Sequence, residues 1–127
     1  MSFIMFIVAT PEYFDNVANA LIHNQVTLPC KASVDTTVRW YYEQYCEHFE
    51  HGMHICSNPV LIDTRKQYQI RHDEPGENNL LINAVAKKMF GVYTCKDQSS
   101  GHVYYRGLLN VISQYTFLAI LSYRAVY

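Results

Sequence analysis

Short runs in which apolar and polar residues alternate recur along the chain, each closed by a turn-forming cluster. This rhythm constrains the fold more than any other feature. In VTLPCKA, Val26, Leu28, Cys30 and Ala32 share one side, and Thr27, Pro29 and Lys31 share the other. A period of two is that of a strand with one buried face. VRWYY sets Val38, Trp40 and Tyr42 against Arg39 and Tyr41. QYQIRHD places Tyr68 with Ile70, and NLLINAV places Leu80 with Ile82, with Val85 close behind. GVYTCK pairs Tyr93 with Cys95 and exposes Val92, Thr94 and Lys96, and VYYRGLLNVI turns Leu109 and Val111 inward. Turn signals fill 33–37, 51–52, 57–59, 73–78 and 97–101. Strands at this spacing predict an all-β sandwich, with a helical turn at 84–90.

The 127 residues amount to one domain, half of them hydrophobic and 14% aromatic, which is a globular composition. A formal charge of -1 offers nucleic acid no electrostatic footprint. No nucleophile elbow, phosphate loop or metalloprotease helix motif occurs, DTR at 63–65 is not a protease signature, and Cys30 sits on an inward face. The expectation is a non-enzyme without cofactor. No N-glycosylation sequon is present, which leaves the surface bare.

The expected organisation is a core domain at 11–113, flanked by 1–10 and 114–127. The apolar run Phe3–Ala9 has no basic flank and is short for a secretory segment. It reads as an atypical signal, a first strand or a fragment start. Residues 116–121 are far too few to span a bilayer. The tail 114–127 has no assigned role.

Cys30, Trp40, Tyr93 and Cys95 together carry more. Trp40 follows Cys30 by ten positions, and Cys95 lies 65 positions after Cys30 and two after Tyr93. The pattern, with Leu80-x-Ile82 upstream, resembles the immunoglobulin superfamily over roughly residues 11–113. The resemblance implies two antiparallel sheets in Greek-key order, bridged by a Cys30–Cys95 disulfide on strands B and F. It places Trp40 on strand C against the bridge, Leu80 and Ile82 in the core, and Tyr93 in a tyrosine corner. The long interval between the cysteines leaves room for extra strands after C, as in a V-type (V-set) domain. One departure stands out. The family usually has an acid six positions before the second cysteine, paired to an arginine that opens strand D. Here that position is Met89, so Arg65 lacks its usual partner. The expectation is a weaker corner, one that Met89→Asp would strengthen.

Cys46 and Cys56 enclose His48, His51 and His54 in CEHFEHGMHIC. In the family's register they flank the C–C′ hairpin, so a second disulfide is one reading. The rival is zinc, for which thiolate and imidazole are suitable ligands, although the spacing matches no common finger. A third reading keeps only the histidines, as a weak metal site or as groups that become charged in mild acid beside Glu47 and Glu50.

The resemblance also implies a binding face. On the sheet of strands G, F, C and C′ the outward residues are expected to be Arg39, Tyr41, Glu43, Thr94, Lys96, Tyr104 and Arg106. Tyrosine and arginine are favoured at interface hot spots. The end loops 32–37 and 97–102 are a second candidate, but no antigen-receptor joining segment follows. The expected function is non-catalytic recognition of a protein ligand or homophilic partner, as adhesion, receptor or immune-type binding outside the cell. The alternatives are a structural module beside neighbouring domains of a longer protein, and a metal-binding or pH-sensing domain built on the histidine loop.

Overall fold

The structure is a computed structural model that describes residues 14–48 and 52–113. The expectations for 1–10, 114–127 and His51, and for the His48 side chain, lie outside the described residues. Nine strands run in order: β1 (Asn16–Leu21), β2 (Val26–Leu28), β3 (Val38–His48), β4 (Gly52–Ile55), β5 (Val60–Leu61), β6 (Tyr68–Arg71), β7 (Asn79–Ile82), β8 (Gly91–Asp97) and β9 (Val103–Ile112). One sheet has the order β1-β9-β8-β3-β4, with β5 also pairing β3, and the other has the order β2-β7-β6.

β3, β6, β7, β8 and β9 form where alternation predicts them, and the expected helical turn is a single 3-10 turn at Lys87–Met89. The run VTLPCKA ends its ladder early, at Leu28. Pro29 has no N–H to give. Beyond it the Cys30 N–H is taken by the Asn79 side chain at 2.9 Å, and the Cys30 carbonyl accepts from the Asn78 N–H at 2.8 Å. NVANAL carries no strong alternation or β-branched enrichment. It becomes β1 because it pairs in parallel with β9, with Asn16 opposite Gly107. A parallel partner must come from far along the chain.

The interval between β3 and β6 holds the extra edge strand expected of a V-type domain, divided into β4 and β5. Residues 64–67 then turn toward β6.

Leu28, Cys30, Trp40, Leu80, Ile82, Val85, Met89, Tyr93 and Leu109 form the core between the sheets. The Cys30–Cys95 disulfide joins the sheets across this core, with Cα atoms 6.3 Å apart. The Trp40 indole N–H donates to the Asn78 carbonyl at 2.7 Å, so the large buried ring leaves no orphan donor. Gly76 takes a left-handed φ of 84°. There it accepts the Ala32 N–H at 2.8 Å, close enough that an added Cβ would strike the Ala32 carbonyl.

The corner before β8 differs from the salt-bridged form that the resemblance implies. Met89 is buried, and its Sδ accepts the Ala86 N–H at 3.3 Å. Arg65 is paired on the surface with Asp63, through Nε at 2.9 Å and Nη2 at 3.1 Å. These hydrogen bonds hold the Asp63 carboxyl down to about 2. The expectation that Met89→Asp would strengthen the corner is therefore reversed. The arginine is engaged elsewhere, and the methionine fills the floor that an acid would have to desolvate.

Candidate functional site

The outer face of the larger sheet is built by register. Leu61 of β5 lies opposite Tyr41 of β3, Tyr41 opposite Thr94 of β8, and Thr94 opposite Arg106 of β9. One row above, Arg39 is opposite Lys96, which is opposite Val103; one row below, Glu43, Val92 and Leu108 align. Cross-strand neighbours share a face, so these rows form a continuous surface. Trp40, Tyr42, Tyr93 and Cys95 alternate with them and point into the core.

The structure brings together six of the seven face residues named from sequence: Arg39, Tyr41, Glu43, Thr94, Lys96 and Arg106. Tyr104 is placed differently. A bulge between Cys95 and Lys96 shifts the register, so Val103 stands beside Lys96. Tyr104 packs partly against the core and meets the His102 ring edge-on at 4.7 Å. The bulge has no sequence signal of its own. Leu61 also joins the face; its signal was the apolar pair that follows the turn at 57–59.

Val92 and Thr94 were expected to be exposed, yet Val92 is 0% and Thr94 8% exposed. Both point away from the core, beneath the longer neighbours Tyr41, Glu43, Arg106 and Leu108. An aromatic cluster accompanies them at the lower end. Tyr45 meets Phe14 edge-on at 5.6 Å and Phe90 at 6.0 Å, and the Arg106 guanidinium lies 5.1 Å from the Phe14 ring centre. The face thus has a packed base and an open upper half. In that half Lys96 Nζ sits 4.7 Å over the Tyr41 ring, within cation–π range. Leu61 and Val103 are 48% and 45% exposed there.

The loop 97–102 is tightly self-bonded. Asp97 accepts from the Ser99 N–H and the Ser100 hydroxyl, both at 2.9 Å, and these bonds hold its carboxyl below the usual range. The Gln98 N–H reaches the Thr37 carbonyl at 3.0 Å, tying this loop to 32–37.

Cys46 and Cys56 form a disulfide. Both sulfurs are bonded to each other, so neither is a thiolate for the zinc set read as an alternative. The cysteines are diagonal rather than opposite: Cys46 faces His54 across the β3–β4 ladder, and Cys56 follows the end of β4. The Cys56 N–H donates to the Gln44 carbonyl at 2.9 Å. No cluster of three metal-ligating groups occurs among the described residues. No helix among them is long and apolar enough to cross a membrane.

No family model and no curated protein matches the sequence. Solved structures do match the fold. The ZIG-8–RIG-5 IG1–IG1 heterodimer aligns at TM-score 0.51 with 13% identity, over 76% of this chain and 82% of that one. The ZIG-8 IG1 homodimer aligns at 0.51 with 12% identity, over 79% and 81%. Dpr11 IG1 bound to DIP-gamma aligns at 0.54 with 20% identity, over 76% and 98%. With its bridged sheets, core tryptophan and tyrosine corner, the chain has the immunoglobulin-like β-sandwich fold.

Proposed function

We propose that this domain is a non-catalytic recognition module outside the cell, and that it pairs with another immunoglobulin-like domain through the outer face of β9, β8, β3 and β5. One observation carries the reading. Among the described residues, Leu61 and Val103 are large apolar side chains exposed on this face, beside Tyr41 and three cations. Exposed apolar side chains rimmed by charge are typical of protein-binding patches. The similar structures are of a heterodimer, a homodimer and a bound pair of immunoglobulin domains, which supports a partner of the same class. Two disulfides fit an oxidising compartment.

Self-association by sedimentation velocity, together with binding to a panel of extracellular immunoglobulin domains, tests the reading. Tyr41→Ala and Leu61→Ser should each weaken pairing while leaving the melting temperature in place. If pairing is unchanged, the contact moves to the loops 32–37 and 97–102.

A further inference from the structure

Within the recognition face lies a cleft of about 210 Å³, lined by Tyr41, Glu43, Thr94, Lys96, Val103 and Arg106 among others. Thr94 forms part of its wall and is more than nine-tenths buried. Its Oγ1 is sealed from solvent and has no hydrogen-bond partner. Folded proteins rarely leave a buried hydroxyl unpaired, because it loses water and gains nothing in return. In a strand centre a valine would pack in the same space without that penalty.

The groups around this hydroxyl define what would satisfy it. Lys96 and Arg106 line the same cleft, and Arg39 lies across the strand from Lys96. Glu43 is the single acid among the lining residues, one row below and opposite Val92. Lys96 has no carboxylate partner among the described residues; its ammonium rests on the Tyr41 ring. Ammonium, guanidinium and hydroxyl can all donate, and the first two cannot accept. A group made only of acceptors, with negative charge, meets the Lys96 ammonium and the Thr94 hydroxyl at once, and charge-assisted bonds of this kind are the strong ones.

We propose that this cleft receives an aspartate or glutamate side chain from the partner domain, with Lys96 leaving the Tyr41 ring to pair with it and the side chains that cover Thr94 in the free domain parting so that its Oγ1 donates at the floor. The inference rests on the face reading above and names the chemistry at its centre. The unpaired hydroxyl is then a group held ready for the complex, which also gives pairing a dependence on salt.

Two measurements test it. In the first, Thr94→Val is compared with the wild type in thermal unfolding. An unchanged or raised melting temperature is expected, and a fall would show that the hydroxyl is already satisfied in the free domain, overturning the proposal. In the second, amide chemical shifts are followed by NMR as Nα-acetyl-aspartic acid amide is added, against Nα-acetyl-asparagine amide at equal ionic strength. The acid alone should shift the amides of Thr94, Lys96 and Arg106, and Thr94→Val and Lys96→Gln should each weaken the response by about fivefold or more. Equal shifts with both probes, or a response indifferent to the two variants, would sink it. If Tyr41-dependent pairing persists without a carboxylate response, only the cleft assignment fails. If Tyr41→Ala leaves pairing intact, the face reading fails whatever the probes show.

Discussion

The Tyr93 hydroxyl donates to the backbone carbonyl of Met89 at 2.7 Å, four residues upstream, inside the buried corner that leads into β8. The same phenol lies 3.2 Å from the Tyr68 hydroxyl, and Tyr42 donates from the other side to the carbonyls of Lys88 and Phe90. Three tyrosines and a methionine therefore close the end of the sandwich, at the position where the sequence lacks the usual acid. Gly91 makes this arrangement fit, since a Cβ there would collide with the Tyr42 ring.

Met89→Asp should destabilise the domain by about 3–5 kcal/mol, because it places a carboxylate at a buried position. Arg65→Ala should leave stability essentially unchanged, since its pair with Asp63 lies on the surface. Urea unfolding of both variants checks this. A stable Met89→Asp domain would mean that Arg65 can swing inward.

The tyrosine corner predicts an alkaline limit. Burial is the first cause of the raised pKa of Tyr93, Tyr68, Tyr42 and Tyr105. For each, the folded state holds the proton more tightly than the unfolded chain does, whose phenols titrate near 10. Their contribution is complete below pH about 10 and is lost as pH rises beyond it. Absorbance at 295 nm should show these phenols ionising together with unfolding, after the exposed tyrosines. A smooth titration of all eleven tyrosines without unfolding would contradict the network.

Replacing Cys46 and Cys56 together with serine should lower stability by about 3 kcal/mol, and replacing Cys30 and Cys95 by about 4 kcal/mol, from loop-closure entropy. The first variant should keep the fold, because the β3–β4 ladder and the core stand without that bridge. Circular dichroism and thermal unfolding measure both. Loss of folding in the Cys46/Cys56 variant would make the hairpin part of the domain's foundation.

Gly76→Ala should cost about 1–3 kcal/mol, because φ of 84° strains an L-residue and its Cβ would strike the Ala32 carbonyl. Chemical denaturation is the check. A neutral result would mean that the 73–78 turn re-forms without its bond to Ala32.

Much of the fold was legible from alternation. A strand buried on one face repeats every second residue, so Trp40, Tyr93, Cys95 and Leu109 declared both their strands and their inward direction. The pairing of Cys30 with Cys95 needed the resemblance, because spacing alone does not choose among four cysteines. Other features arise only when distant segments meet. NVANAL becomes β1 because β9 offers it an edge, and Val103 replaces Tyr104 on the face because one bulge moves the register. Val92 and Thr94 have the outward parity of exposed residues and are buried by neighbours from other strands. Arg65 finds Asp63 two residues away, while Met89 is buried in the corner. Local sequence sets which way a side chain points, whereas tertiary packing sets what it meets there. For that reason the outer face of the larger sheet could be outlined from the sequence, while the unpaired hydroxyl beneath its cations could not.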